Sequence, residues 1–556
     1  MLKGIHFKFG RSVGHSDQYL DVKPLTVFVG PNNSGKSLIL REINQYLQGG
    51  NVNPNAKVLK KIELEGFSTD EAMIEIARLK QEPSKGDVIP AGNIVIGNAG
   101  NRAVVPLADL RSVLIATPPN SHQFCQWFLR FKTLFLDGPS RIGLVGQQGA
   151  GDMQTHPTGT LQVLIRDDHK REKIREILFD SFGEYFVIDP TSLGQLRIRM
   201  SPEKPVGPEV ERSFTKEAID FQSRATPIEE KSDGVKAFTG IIQNIMAGDP
   251  SVLLIDEPEA FLHPSLSFKL GKHVSIETRG TNKKVFASTH SASFVRGCIQ
   301  SGAPVNIVRL TYRAGVPTVR ILEHQDLENL MKDPLLRSTK AIEGLFSEFV
   351  VVCEADSDRA FYEEINERLA AARDDRAIPN CLFINAQNKQ TIPSIVRPLR
   401  EMGIPAVGIV DLDVLKDGGQ EWTKQLKSVF VPEPQHGSLA QDRKTVLALL
   451  DQANADWKRS GGISVLNGEG REACENLLQT LSSYGLFVVP TGELESWLAE
   501  LGVQANKSAW LVKMFEALGA NPSDSSYKQP QDGDVWDFVA KIREWMVNPH
   551  KKGVPF

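Results

Sequence analysis

Short apolar runs alternate with segments of helical period along most of this chain. Leu25-Thr-Val-Phe-Val29, Ser251-Val-Leu-Leu-Ile255, Lys284-Val-Phe-Ala-Ser288, Phe349-Val-Val-Val-Cys353, Asn380-Cys-Leu-Phe-Ile384, Ala406-Val-Gly-Ile-Val410 and Gly485-Leu-Phe-Val-Val-Pro490 read as buried strands. Between them, Leu38, Ile39, Ile43 and Leu47 fall near one helical face, as do Val235, Phe238, Ile241, Ile242 and Ile245. Phe361, Tyr362, Ile365 and Leu369 repeat the pattern, and Ile395–Met402 and Val535–Met546 are further helices. Strands and helices in this alternation predict an α/β fold with parallel sheets.

The stretch 50–230 is less regular. Asn51–Asn55 and Gln81–Asp87 have loop composition, while Ile94–Ile96, Ala103–Pro106 and Leu134-Phe-Leu-Asp-Gly138 look like short strands, with Arg141 just beyond. Phe124, Trp127, Phe128 and Phe131 stand at i, i+3, i+4 and i+7, which marks a buried helix face rather than a base-stacking platform. Val145–Asp152 is a polar loop, either a mobile connector or a place for Gln147 or Gln148 to report on a metal. Arg166–Ile177 carries mixed charges at i, i+4 and predicts a solvated helix face.

At 556 residues the chain exceeds one core, so two or three domains are expected. No stretch approaches the roughly 20 apolar residues of a membrane span, and the first residues lack a signal-peptide apolar region. The five cysteines (125, 298, 353, 381 and 474) form no CxxC pair, which suits a reducing cytoplasm. Net charge is −4, so any nucleic-acid contact relies on local cationic clusters or on metal ions.

Gly30-Pro-Asn-Asn-Ser-Gly35-Lys36-Ser37 fits GxxxxGK[ST] between a strand and a helix. Gly30 and Gly35 let the backbone wrap so that amides, including those of Asn32 and Asn33, point at phosphate oxygens, and the helix N-terminus adds its dipole. Lys36 is expected on the β- and γ-phosphates and Ser37 on Mg²⁺. A nucleoside triphosphate is the implied ligand. Lys231-Ser232-Asp-Gly234 then opens a helix, the strand Val252–Ile255 ends in Asp256 and Glu257, and the strand from Lys284 ends at His290. Asp256 is placed for the Mg²⁺ shell and Glu257 for the attacking water.

These four motifs, in this order, resemble the ABC-type ATPases of chromosome maintenance and recombination repair. The resemblance implies that Ser232 and Gly234 belong to a signature motif that closes over ATP held by another subunit, so that the ATPase is at least dimeric. It also implies that His290 is a switch histidine sensing the γ-phosphate.

Past residue 340 the pattern restarts as a βαβαβ unit with acids at strand carboxyl ends. Glu354 and Asp358 sit at a strand–helix junction, and Asp411-Leu-Asp413 places two carboxylates on one side of an extended chain. Clustered oxygen ligands without histidine or cysteine suit Mg²⁺ or Mn²⁺. The arrangement resembles a TOPRIM domain, and the second acid at Asp358 is similar to the pattern of the OLD (overcoming lysogenization defect) nucleases. Those proteins join an ABC-type ATPase to a C-terminal TOPRIM domain, as do the Gabija nuclease subunit and PARIS-type and retron-associated antiphage proteins. The resemblance implies that Gly492-Glu493-Leu-Glu495 completes a second metal site through Glu495, with Glu493 as alternate. It also implies a downstream lysine at the transition state, either Lys541 or Lys528. Ala355-Asp-Ser stands where the family has Gly-x-[ST].

The expected organisation is an ABC-type P-loop ATPase domain over 1–325 with an insertion at about 50–230, and a linker over 326–346. A Rossmann-like TOPRIM domain with a C-terminal helical extension follows over 347–556. The expected function is an ATP-regulated, Mg²⁺- or Mn²⁺-dependent endonuclease acting on nucleic acid, DNA before tRNA, in antiphage defence, with a co-encoded partner and no membrane contact. The competing readings are an ATPase sensor or scaffold for a separate effector, and a TOPRIM ribonuclease acting on tRNA.

Overall fold

The computed structural model describes residues 1–12, 17–83, 88–98, 101–152, 154, 157–313, 315–322, 327–328, 331, 340–505 and 507–555. Parts of the expected linker 326–346 and the end of the loop expected at Gln81–Asp87 lie outside these residues. The chain divides into two compact units, residues 1–29 with 33–328, and residues 329–556 with 30–32.

The first unit is built on a six-stranded sheet. Its order is Val316–Leu322, Val305–Arg313, Leu25–Val29, Lys284–Ser288, Val252–Asp256 and Thr133–Leu136. All neighbours run parallel except the first two, which form an antiparallel hairpin. Every residue of Leu25–Val29 is buried, as expected of a central strand covered on both faces. Helix Lys36–Gly49 covers the sheet with Ile39, Leu40, Ile43 and Leu47.

The single insertion expected over 50–230 is corrected. Leu59–Leu64 pairs with the N-terminal strand Leu2–Phe7, and Thr133–Leu136 returns to the main sheet, with Leu134 opposite Leu253 and Leu136 opposite Ile255. Two excursions therefore replace one, before and after that edge strand. The first carries the hairpin Asn93–Asn98/Asn101–Pro106. The second carries helix Asp168–Phe182 and the pair Tyr185–Asp189/Gln195–Ser201. Phe124, Phe128 and Phe131 are buried in the core, as their spacing predicts.

The charged helix is less solvated than its composition suggests. Arg171 and Arg175 are buried, and each places a guanidinium nitrogen 2.9 Å from Glu211 Oε2. A buried guanidinium needs such a partner, because unpaired charge in a desolvated site is costly.

The second unit holds a four-stranded, fully parallel sheet in the order Cys381–Asn385, Phe349–Cys353, Ala406–Val410 and Leu486–Val488. Helix Asp356–Ala371 packs with the C-terminal helices Lys507–Leu518 and Asp534–Val547, around Phe361, Tyr362, Trp510, Trp536 and Phe538. On the other face, Gly408 lets helix Ile392–Glu401 lie close; a β-carbon there would meet Ile392 Cγ2 at 2.7 Å. From that helix the fully buried Arg400 donates to the carbonyls of Ala406, Val429, Tyr484, Gly485 and Gly553. No helix among the described residues is long and apolar enough to cross a membrane.

Candidate functional site

The phosphate loop joins Leu25–Val29 to helix Lys36–Gly49 through residues in left-handed conformations, with φ of 144° at Gly30, 60° at Asn33 and 95° at Gly35. Ser37 Oγ donates to Asp256 Oδ1 at 2.8 Å, and Ser288 Oγ donates to the same oxygen. The first helical turn is thus already tied to the acidic strand end. Lys36 is buried, and desolvation pulls its ammonium down to about 8 against the attraction of Glu257 and Asp256. A buried ammonium at the start of a helix, beside a loop that wraps its backbone, suits an anionic ligand such as a triphosphate.

Glu257 follows the strand at φ 54°, a conformation rarely held by a residue with a side chain, and its amide donates to the Ser288 carbonyl at 2.8 Å. Its Oε1 lies 3.7 Å from His290 Nε2. Burial, then the Lys36 ammonium, lowers the imidazole below its ordinary range, so His290 is neutral near pH 7. Glu259, which the sequence reading did not single out, accepts the His290 amide at 2.7 Å, and burial raises its carboxyl. Arg141, just beyond the strand Thr133–Leu136, reaches the same turn. It is 1% exposed, donates from Nε to the Asp137 carbonyl at 3.0 Å, and donates from Nη1 to the Glu257 carbonyl.

Ser232 caps helix Asp233–Ala247 without a side-chain capping bond. Gly234 packs against the turn after Glu257, where a β-carbon would meet the Phe261 carbonyl oxygen at 2.6 Å. Gln148 has its amide engaged by Thr160 Oγ1 at 2.8 Å and the Leu161 amide at 3.0 Å, inside a short strand pair with Gln195–Ser201. That connector is ordered by its own bonds.

In the second unit the acids converge at the carboxyl ends of two adjacent strands. Glu354 Oε1 accepts the Asp411 amide at 2.8 Å. Burial, followed by the charge of Asp411, raises the Glu354 carboxyl to about 8. Asp358, one helical turn along, rises to about 6 for the same two reasons. Ala355, at φ −131° and ψ 174°, is extended backbone that any residue adopts. The glycine the family has there is therefore not needed to present Glu354.

Asp411 and Asp413 point to the same side, as alternation predicts, although the chain enters a 3₁₀ turn at Leu412. Both contact one cation: Lys458 Nζ lies 2.9 Å from Asp411 Oδ2 and 2.7 Å from Asp413 Oδ2. Lys389 Nζ lies 2.9 Å from Asp413 Oδ1. Burial would raise the Asp413 carboxyl, but hydrogen bonds from these two lysines hold it below the ordinary range. Glu493 and Glu495 face the same region. Burial and then the Glu495 charge raise Glu493, while Glu495 adds to the negative field at Asp358.

The structure does not bring the two expected lysines to the acids. Lys528 Nζ pairs with Glu500 at 2.9 Å, and Lys541 is exposed on helix Asp534–Val547. Lys458 and Lys389 stand at the acids instead. They lie in segments without helical or strand period, so no local pattern marks them.

The donor set fits a hard divalent cation. All its members are carboxylates, two have carboxyls raised by burial and like charge, and an ammonium already stands where a cation would. Among the described residues no three acid, histidine or cysteine side chains are yet spaced as a closed ligand set. Asp411 and Asp413 are drawn onto Lys458 instead.

Family models match both units. Residues 154–296 match "AAA domain, putative AbiEii toxin, Type IV TA system", and residues 345–413 match "Overcoming lysogenization defect protein-like, TOPRIM domain". The first match spans Ser232 to His290, and the second contains Glu354, Asp358, Asp411 and Asp413. No curated protein sequence is significantly similar to the chain. Among solved structures, an SMC head bound to the C-winged helix domain of ScpA is 15% identical, with 60% of this chain and 99% of that one covered at a TM-score of 0.35. The SMC head domain from Thermotoga maritima is 14% identical over 58% and 99%, at a TM-score of 0.28. With an AAA-type ATPase domain ahead of an OLD-like TOPRIM domain in one polypeptide, this chain is an enzyme that matches the OLD-family ATPase–TOPRIM nucleases.

Proposed function

We propose that the chain is an ATP-regulated endonuclease that cleaves phosphodiester bonds, DNA before tRNA, in defence against phage. The observation that carries the reading is the gathering of Glu354, Asp358, Asp411 and Asp413 at adjacent strand ends, with Glu354 bonded to the Asp411 amide. Mg²⁺ or Mn²⁺ bound there supplies Lewis acidity and an activated water. The chain's own part is to supply oxygen ligands from Glu354, Asp358, Asp411, Asp413 and Glu495, and to keep them fixed on the sheet.

In the ATPase unit, Lys36 meets the β- and γ-phosphates, and Ser37 and Asp256 form the Mg²⁺ shell. Glu257 takes the proton of the attacking water, and neutral His290 beside it senses the γ-phosphate. Ser232 and Gly234 of a second copy close the nucleotide, which makes the working form at least a dimer. A co-encoded partner is expected to set the trigger.

One observation favours a second reading, an ATPase that controls a separate effector. Lys458 already neutralises Asp411 and Asp413, as it would in an inert TOPRIM domain.

Incubating the protein with plasmid, linear DNA and tRNA, with Mg²⁺ or Mn²⁺ and with or without ATP, separates the readings. Cleavage lost in Asp411→Ala supports the nuclease. ATP turnover with every substrate intact supports the effector-control reading.

A further inference from the structure

The acidic centre of the second unit contains its own cation, and the backbone holds it there. Trp457, next to Lys458, is fully buried, and its indole N–H donates to Asp451 Oδ1 at 2.8 Å. Just beyond, the Ile463 amide donates to the Pro490 carbonyl at 2.9 Å. Gly492 lies so close that a β-carbon there would meet the Lys458 carbonyl oxygen at 2.0 Å. The Gly492 carbonyl in turn accepts the Leu412 amide at 3.0 Å. The segments carrying Asp411 and Asp413, Lys458, and Glu493 and Glu495 are therefore braced against one another. Lys458 is placed by a tryptophan anchor and a glycine contact, unlike a surface lysine that swings into range.

The charges then sort into two sets. Asp413 has an ammonium at each oxygen, Lys389 at 2.9 Å and Lys458 at 2.7 Å, and Lys458 also lies 3.9 Å from Glu493. Asp411 belongs to both sets, with Lys458 2.9 Å from its Oδ2, whereas among the described residues no lysine or arginine lies at ion-pair distance from Glu354, Asp358 or Glu495. A divalent ion entering at Asp413 would share that carboxylate with two ammoniums at hydrogen-bond distance. Repulsion at such range, in a partly desolvated site, works strongly against it. An ion entering among Glu354, Asp358, Asp411 and Glu495 relieves like-charge repulsion instead.

We infer that Lys458 is the resident second cation of this centre, so that the chain takes one divalent ion among Glu354, Asp358, Asp411 and Glu495, while the Lys458 ammonium holds the place at Asp413. The inference rests on the nuclease reading above and specifies its ion count. Lys458 also gives the centre a fixed positive charge that does not depend on metal concentration.

The test is a count of Mn²⁺ ions bound to the nucleotide-free full-length protein by calorimetric titration, relative to Glu354→Gln/Asp358→Asn as the blank. The expected count above the blank is one for the wild type, one for Lys458→Arg and two for Lys458→Met. Two ions in the wild type, or one in a folded Lys458→Met, overturns the inference while leaving the nuclease reading standing. No ion above the blank in the wild type removes both. Should Lys458→Met fail to fold, the wild-type and Lys458→Arg counts still decide.

Discussion

The main-chain amide of Asp411 donates a 2.8 Å hydrogen bond to Oε1 of Glu354. One bond thereby couples the ends of two neighbouring parallel strands, and it fixes the carboxylate at the point where the Asp411 charge opposes its ionisation. Backbone register, rather than a flexible side-chain contact, sets the electrostatics of the centre.

A pH dependence follows from that bond's surroundings. Glu354 keeps its proton in the folded chain up to about pH 8, whereas its ordinary value is 4.5. Asp358 is displaced in the same direction, from 3.8 to about 6. The folded state thus binds more protons than the unfolded state between these values, and stability falls as pH rises through the window. The melting temperature of metal-free protein should drop from about pH 5 to about pH 8, and Mn²⁺ should restore it at the upper end. Glu354→Gln should flatten the slope, and an unchanged slope in that variant would rule Glu354 out as its source.

Glu257 is the group assigned to the attacking water, and its backbone is held at φ 54° by the strand end. Glu257→Gln should lower ATP turnover by roughly 100-fold or more while ATP still binds. Nucleotide binding by fluorescence and phosphate release measured on the same preparation check this. Turnover at the wild-type rate would remove the assignment.

Arg141 grips the carbonyl of that same residue from the edge of the sheet. Arg141→Ala leaves the carbonyl without its charged donor, a loss of about 1.5–3 kcal/mol for such a bond, or roughly 10- to 150-fold in rate. The effect should fall on kcat with little change in KM, because Arg141 acts on the turn that carries Glu257. Arg141→Lys should recover part of it. A fall in KM-dependent binding alone would mark Arg141 as part of the nucleotide cradle instead.

The strands and their terminal acids were legible in the sequence because each signal is local. A five-residue apolar run followed by carboxylates, or a glycine-spaced loop before a helix, needs no knowledge of the rest of the chain. Thr133–Leu136 was visible as a strand, but its place in the main sheet was not, because three half-exposed residues and one buried leucine carry no sign of their partner. Lys458 and Lys389 were missed for a related reason. Each lies in an aperiodic segment, and only the docking of that segment on Pro490–Gly492 or on Asp413 gives it meaning. Lys541 and Lys528 are what the resemblance implies for a downstream lysine, and order along the chain is a poor guide to which cation meets which acid. Arg171 and Arg175 show the converse: a charged pattern implied water, and the fold supplied Glu211.

The edge strand Thr133–Leu136 has a mechanical consequence for what surrounds it. The chain enters it from the first excursion at the end remote from the nucleotide loop, and leaves it directly beside Asp256 and Glu257, where Arg141 is latched. The second excursion is therefore latched to the turn that carries Glu257, whereas the first leans on the far end of helix Lys36–Gly49, where His122 Nδ1 lies 2.9 Å from the Gly49 carbonyl oxygen. A partner docked on residues beyond Arg141 therefore has a route of a single side chain to the Glu257 carbonyl.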